Sequence, residues 1–343
     1  MNMETPSGRL TLREIAREAG VSLATLDRVL HGRSGVREET ARRVREAITR
    51  HAPPSAGAGR TRSMKFAFVM PEGANVFMQT IRDHVAEMSS WLAARKVSVE
   101  TVVADVFNAQ RLAEALEALQ GKFDGVAVVA LDHQSVRAAI DDLVASGMYV
   151  VTLVSDVPGS RRHHYVGVDN VAAGRTAAVL VGRLARQTAG KVGVVAGSQL
   201  LRDHAERIFG FQQVMGLEFS HFTLLNPVEG GDQDELNEAL TMRLLSDHPD
   251  LVGLYNVGAG TPGVGKAIAD SGREERIIFV AHDLTPFTRR GLLRGLVDAV
   301  ISQDPGHEAR SAIRVLMALT RGEPLLAEQE RINIDIVMRD NLP

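Results

Sequence analysis

The 343-residue sequence contains no cysteine, few aromatic residues and no long apolar run. Without cysteine, the chain cannot form disulfide frameworks, thiolate zinc sites or cysteine nucleophiles. No stretch approaches the roughly 20 apolar residues of a membrane-spanning helix, and the N-terminus lacks the basic start and apolar run of a secretory signal. We therefore expect a cytoplasmic protein with no membrane partner. The aromatic content of 4% argues against a ligand site built mainly from stacked rings.

The formal net charge of -3 is unevenly distributed along the chain. Residues 1–65 contain 13 Lys and Arg against 7 Asp and Glu, a charge of +6, so the remaining residues carry a charge of −9. A small basic segment on an acidic body is typical of a polyanion-binding module joined to a sensor or an enzyme. Chance clustering of the arginines is the alternative.

Three short helices are predicted within residues 1–51. Thr11 and Glu14 have the spacing of a capping box, Gly20 ends the first helix, and Ser22 can cap the second. The apolar positions that recur at helical spacing are Leu12, Ile15, Ala16 and Ala19 in the first helix, Leu26, Val29 and Leu30 in the second, and Val44, Ala47 and Ile48 in the third. Residues 52–63, rich in Pro, Gly, Ala and Ser, are predicted to be a linker.

From residue 65 onward, short apolar runs alternate with amphipathic segments. The predicted strands are 66–70, 97–103, 126–130, 150–154, 192–195, 251–254 and 277–280, and the helices between them include 109–120, 135–146, 171–187, 204–218 and 232–246. Such alternation indicates parallel sheet with helices on both faces. Nearly 280 residues are too many for one such sheet, so an α/β body of two doubly wound lobes is predicted.

Two short helices joined by a glycine turn are typical of a helix-turn-helix, whose second helix enters the DNA major groove. The residues predicted to reach base edges are Ser22, Leu23, Ala24, Thr25 and Arg28. Leu23 and Ala24 offer apolar contacts, whereas Thr25 and Arg28 can form hydrogen bonds. A three-helix bundle without DNA affinity is the alternative.

The segment from Leu10 to Gly32, with the sequence LTLREIAREAGVSLATLDRVLHG, resembles the DNA-binding head of the lactose-repressor family, and the similarity continues from Val36 to Ile48. The remainder resembles that family's effector domain, which has a periplasmic-binding-protein-like fold of type I. The resemblance implies one lobe from residues 64–168 plus about 300–328, and another from 169–299 plus about 329–343.

The sequence departs from the family pattern at two places. Asp27 stands where the family usually has a small polar residue beside a DNA phosphate, so a carboxylate there would be repelled. The linker has the prolines of the family's hinge segment but not the leucine that wedges into the minor groove. We therefore expect residues 52–63 to leave the operator less sharply bent.

Polar residues follow the carboxyl ends of the predicted strands, where α/β folds bind ligands. The predicted ligand-binding residues are Asn75, Phe77, Asp132, Ser155, Asp156, Arg207, Asn256, Asp283 and Gln303. Carboxylate and amide oxygens accept hydrogen bonds from hydroxyls while arginine donates them, so a sugar or polyol is expected. The resemblance also implies ligand contacts for Arg207, Asp283 and Gln303, and less directly for Asn256.

A competing hypothesis is a nucleotide-binding or ligand-hydrolysing sensor-enzyme that uses residues 258–266. Gly260 to Lys266 has the spacing of a phosphate loop, but Ala267 stands where a Mg²⁺-binding Ser or Thr is needed. A transport binding protein is opposed by the basic head and by the missing export signal.

The sequence thus predicts a regulator, most simply a repressor, with no catalytic residue, metal site or cofactor. Its expected partners are palindromic operator DNA, a small polar effector and a second copy of the chain, with a tetramer as a further possibility.

Overall fold

A computed structural model describes residues 12–30, 36–51, 63–73 and 75–343. Thr11, the loop 31–35 and nearly all of the predicted linker lie outside the described residues. The N-terminal head consists of α1 (Leu12–Ala19), α2 (Leu23–Leu30) and α3 (Glu38–His51).

The turn between α1 and α2 is determined by two residues. Gly20 has a φ of 65°, in the left-handed region that glycine adopts without steric cost. The Ser22 hydroxyl accepts a hydrogen bond from the backbone N–H of Thr25 at 3.1 Å, as an N-cap does. The head buries a small apolar core of Ile15, Ala16, Ala19, Leu26, Val44 and Ala47.

The first sheet of the body contains five parallel strands in the order β2-β1-β3-β4-β5. These strands are β1 (Met64–Pro71), β2 (Val97–Ala104), β3 (Gly125–Val128), β4 (Tyr149–Leu153) and β5 (His164–Val166). The helices α4 (Val76–Glu87), α5 (Ser89–Ala93), α6 (Ala109–Glu117) and α7 (Gln134–Ala145) connect them. Separate apolar clusters cover the two faces, as expected for a parallel sheet.

The second sheet has the order β12-β11-β10-β9-β6-β7, with β8 also paired to β6. Its strands are β6 (Gly190–Ala196), β7 (Phe222–Leu224), β8 (Val228–Glu229), β9 (Leu251–Asn256), β10 (Ile278–His282), β11 (Ala299–Ser302) and β12 (Asp335–Val337). Its helices are α8 (Asn170–Leu184), α9 (Arg202–Glu218), α10 (Asp234–Asp247), α11 (Thr261–Asp270) and α12 (Pro286–Arg294). Among the described residues, no helix is long and apolar enough to span a membrane.

The chain returns to the first lobe later than predicted. The strand β11 pairs with β10 and β12, so residues 300–302 belong to the second sheet and not to the first lobe. The following helix, α13 (Pro305–Arg321), packs its apolar face against the first sheet. The backbone therefore crosses between the lobes at Gln303 and Asp304.

Glycines allow α8 and α9 to approach each other at backbone distance. A Cβ at Gly174 would lie 1.9 Å from the carbonyl oxygen of Arg207, and one at Gly210 would lie 2.2 Å from that of Val171. Real Cβ atoms do not approach this closely, so both positions require glycine. This packing holds the α9 side chains at the boundary between the lobes.

Candidate functional site

The carboxyl ends of both sheets surround a cavity of about 400 Å³. This volume is within the range of small-molecule sites. The residues that line it are Pro71, Glu72, Gly73, Asn75, Phe77, Met78, Val106, Phe107, Val129, Val154, Ser155, Leu201, Asp203, His204, Arg207, Gly231, Asp232, Gln233, Gly258, Ala259, Asp283 and Gln303. We call this cavity the interlobe cleft.

Six of the nine predicted ligand-binding residues line the interlobe cleft: Asn75, Phe77, Ser155, Arg207, Asp283 and Gln303. Two of them also hold local structure. The side chain of Asn75 caps α4 by accepting from the Met78 N–H at 3.2 Å, and the Ser155 hydroxyl accepts from the Arg202 N–H at 3.1 Å.

The other three predicted residues do not line the cleft, and protein groups engage their side chains. The guanidinium of Arg162 binds both carboxylate oxygens of Asp156.

Asp132 accepts from Arg137 at 2.9 Å and lies 3.7 Å from Arg202. The buried amide of Asn256 donates to Gly258, Ala259 and Thr261, and so shapes the turn after β9. Asp132 and Asp156 follow strands and Asn256 ends β9, but none of the three lines the cleft, so the structure does not support their predicted ligand contacts.

Arg207 is the central cation of the cleft and is only 2% exposed. Its Nε donates to Asn170 Oδ1 at 2.8 Å and its Nη1 donates to the carbonyl of Val257 at 2.7 Å. Its buried Nη2 has no hydrogen-bond partner among the described residues. Burial opposes its charge, but the carboxylates of Asp203 and Asp283 outweigh that effect and raise its pKa. Arg207 thus presents a fixed guanidinium edge to a bound molecule.

Asp283 follows β10 with a φ of 64°, a conformation that is rare for residues other than glycine. Gln303 Nε2 donates to Asp283 Oδ1 at 3.3 Å, whereas the buried Oε1 of Gln303 has no hydrogen-bond partner in the part of the chain that the structure describes. Burial raises the pKa of Asp283 to about 6, against the opposing effects of Arg207 and of the Gln303 hydrogen bond.

Sequence reasoning missed five polar residues of the cleft, Glu72, Gln233 and the three titratable groups Asp203, His204 and Asp232 discussed next. Asp203 is only 5% exposed, and its Oδ1 has no hydrogen-bond partner within the described part of the chain. Asp232, with a φ of 59°, accepts from the Ala259 N–H at 3.0 Å, and burial raises its pKa. Their position after β6 and β8 is the sequence feature that could have identified them as cleft residues. The two-residue strand β8 has no recognisable apolar run, so Asp232 looked like an ordinary loop residue.

The Gly260–Lys266 pattern does not form a phosphate loop. Gly263 and Gly265 lie inside α11, and a Cβ at Gly263 would be 1.8 Å from the carbonyl oxygen of Asp234. These glycines therefore permit close packing of α11 on α10. The ammonium of Lys266 binds Glu238 and Asp270 at the surface, so the structure gives the predicted nucleotide site no support.

In the head, Leu23, Ala24 and Arg28 project from α2 into solvent, and Leu23 is 45% exposed. Thr25 is half-buried, and its Oγ1 lies 2.9 Å from the Ser22 hydroxyl. The face of α2 formed by residues 22–25 and 28 is the candidate nucleic-acid interface.

Comparisons with known proteins match both parts of the chain. Residues 11–52 match the model of the lacI family of bacterial regulatory proteins, and residues 66–324 match that of the periplasmic binding protein domain. The HTH-type transcriptional regulator pepR1 of Lactobacillus delbrueckii subsp. lactis is 33% identical over 84 residues, which cover 23% of this chain and 25% of that protein.

Catabolite control protein A of Streptococcus mutans serotype c is 31% identical over 85 residues, covering 24% of this chain and 26% of that protein. The chain therefore matches only about a quarter of the length of each of these relatives.

The fold of the body is similar to that of solved binding proteins. The structure of GanP, a glucose-galactose binding protein from Geobacillus stearothermophilus, has a TM-score of 0.73 at 22% identity, covering 82% of this chain and 99% of that one. The chain belongs to the periplasmic binding protein domain family and carries at its N-terminus the helix-turn-helix of the lacI family of bacterial regulatory proteins.

Proposed function

We propose that this protein is a cytoplasmic transcription regulator, most simply a repressor, whose operator affinity is controlled by a sugar or polyol in the interlobe cleft. The observation that carries this proposal is the partly unsatisfied guanidinium of Arg207. Arg207 lines a cavity of ligand size in the same chain as a lacI-type head, and its buried Nη2 has no hydrogen-bond partner among the described residues. Buried polar groups without partners are costly, so such a group favours a ligand that completes its hydrogen bonds.

The DNA-binding part of the proposal rests on the exposed face of α2. Leu23, Ala24 and Arg28 are exposed on this helix. In this proposal Leu23 and Ala24 contact a thymine methyl group, and Arg28, one turn further, forms a hydrogen bond with a base. One helix-turn-helix reads one half-site. We therefore propose a homodimer on a palindromic operator, with a tetramer as a possible larger assembly.

The ligand part rests on the chemistry of the cleft. Arg207 Nη2 can donate to a ligand oxygen, while Asp203 Oδ1 and Gln303 Oε1 can accept from ligand hydroxyls. GanP, which has the same fold, is a glucose-galactose binding protein. A molecule with several hydroxyls would satisfy all of these atoms together.

Coupling between the two parts requires that the ligand prefer one arrangement of the lobes. Asn75 and Phe77 belong to the first lobe, whereas Arg207 and Asp283 belong to the second, so a ligand in the cleft would touch both. Lobe closure on the ligand would then change the separation of the two heads in a dimer.

The DNA-binding proposal is tested by selecting duplexes from a random library with the full chain and measuring affinity at several salt concentrations. We expect a steep loss of affinity with salt because the head is basic. Arg28→Ala should weaken binding by about 1–3 kcal/mol, while Arg243→Ala, which removes an exposed charge from α10 in the body, should leave it unchanged. Equal effects of the two substitutions would contradict the placement of the DNA-binding face.

A further inference from the structure

The interlobe cleft has a marked excess of acidic groups. Asp203, Asp232 and Asp283 all line it, with Glu72 exposed at its edge, whereas Arg207 is the single Lys or Arg among the described lining residues. His204 also lines the cleft, and its Nδ1 accepts a hydrogen bond from the Ser198 N–H at 3.2 Å.

Two histidines lie near these carboxyls. Nε2 of His204 is 3.7 Å from Asp203, beyond hydrogen-bond distance, and its Coulombic effect opposes the burial that raises the pKa of Asp232. His282, at the end of β10, hydrogen-bonds Tyr255 at 2.7 Å, and burial holds its pKa well below the ordinary value, so it is neutral. Asp283 remains largely ionised at neutral pH, because its pKa of about 6 lies below 7.

The atoms without partners show what the cleft requires of a ligand. Asp203 and Gln303 are each more than nine-tenths buried, and each has an acceptor oxygen with no hydrogen-bond partner. The corresponding unpartnered donor is Nη2 of Arg207. Among the described residues that line the cleft, acceptor oxygens without partners therefore outnumber nitrogen donors without partners, and the carboxylates of Asp203 and Asp283 both act on the one guanidinium. A complementary ligand must contribute hydrogen-bond donors and positive charge.

We propose that the effector is an amine-bearing polyhydroxyl compound, such as a hexosamine, whose ammonium group binds beside Asp203 while a hydroxyl oxygen accepts from Arg207. This inference rests on the proposed function, because it specifies the ligand of the same cleft. The charge balance works against phosphorylated and carboxylated sugars. A single guanidinium would have to hold such an anion against three surrounding aspartates.

The test is calorimetric titration of the full chain at neutral pH with matched compounds. These are D-glucosamine, D-galactosamine and D-mannosamine, their parent hexoses, their N-acetyl derivatives and the hexose 6-phosphates. We expect at least one amine to bind roughly tenfold more tightly than its parent hexose, since a charge-assisted hydrogen bond replaces a neutral one. The N-acetyl derivative should lose that gain, and the phosphate should not bind.

Two substitutions distinguish a specific contact between the ammonium group and Asp203 from a general attraction by the protein's negative charge. Asp203→Asn retains the shape of the side chain but removes its charge. The ratio of the affinity for the amine to the affinity for its parent hexose should therefore fall to nearly one, while the parent hexose still binds. Asp142→Asn removes an exposed carboxylate from α7 and should leave the tenfold preference intact. Thermal melts of both variants report whether they fold.

The two proposals fail on different results. Binding of a parent hexose that equals or exceeds binding of its amine, or binding of a 6-phosphate, would overturn the amine proposal and leave the sugar-effector proposal standing. An unchanged preference in Asp203→Asn would overturn the assigned ammonium contact. Failure of every amine and every hexose to bind at millimolar concentration would contradict both proposals.

Discussion

At the scale of single residues, the cleft concentrates conformations and charges that a stable core would avoid. Val154 and Asp283 both have a φ of 64°, although neither is glycine and valine is β-branched. Such backbone costs of order 1–3 kcal/mol each and clusters at functional sites. Both residues line the interlobe cleft, which supports its assignment as the ligand site.

The raised pKa of Asp283 makes stability depend on pH. Burial lifts its pKa from 3.8 to about 6, so ionisation is less favourable in the folded state than in the unfolded chain. The folded state is then stabilised below about pH 4, and this contribution is lost as pH rises through 6. Its size is ~3 kcal/mol from the linkage relation.

We expect Asp283→Asn to remove this part of the pH dependence, while Asp142→Asn on the exposed face of α7 should retain it. Urea unfolding at pH 4 and pH 7 would measure the difference between each variant and the wild type. The same change in unfolding free energy between the two pH values in Asp283→Asn and wild type would show that Asp283 does not titrate as described.

At the scale of helices and strands, tight packing depends on particular glycines, and α9 contains a matched pair. Gly210 lies against α8, where a Cβ would be 2.2 Å from the carbonyl oxygen of Val171, whereas nothing lies within 4 Å of a Cβ at Gly216. Gly210→Ala should therefore destabilise the protein by about 1–3 kcal/mol through overpacking.

Gly216→Ala should instead stabilise the protein by up to about 1 kcal/mol, because alanine has the higher helix propensity. The midpoints of chemical unfolding of the two variants would show opposite shifts from the wild type. Shifts of the same sign would mean that α8 and α9 are further apart than the structure places them.

The long buried strands and amphipathic helices could be predicted from the sequence because their periodicity is strong. The apolar runs predicted the bounds of β1, β2, β6 and β9 to within a few residues. The short edge strands β7 and β8 could not be found this way, since they consist of three and two residues and depend on pairing with β6.

The candidate site could be predicted in part, because the apolar runs located the ends of the long strands. Position after a strand correctly placed Arg207 and Asp283 at the cleft, but it also selected Asp156, whose carboxylate is bound by Arg162. Local sequence does not show which neighbouring charge will neutralise a loop residue. Asp203 was missed because it lies one residue inside α9, after an irregular turn.

In the whole molecule, one chain carries both the exposed face of α2 and a cleft that is shared by two lobes. We propose that operator binding by α2 and ligand binding in the cleft are coupled. Thermodynamic linkage makes such coupling reciprocal, so a ligand that alters operator affinity must itself bind with altered affinity to the operator complex. A typical coupling free energy of 1–3 kcal/mol would change operator affinity by roughly 5–150-fold.

The most direct test is fluorescence anisotropy of a selected operator titrated with full-length protein, with and without the hexosamine or hexose that binds most tightly. The account predicts that saturating ligand changes operator affinity by at least fivefold in the wild type. It also predicts that Gln303→Ala, which removes an unpartnered acceptor from the cleft, retains basal operator affinity but needs about tenfold more ligand for the same change. Operator affinity that stays the same at saturating ligand would contradict the account.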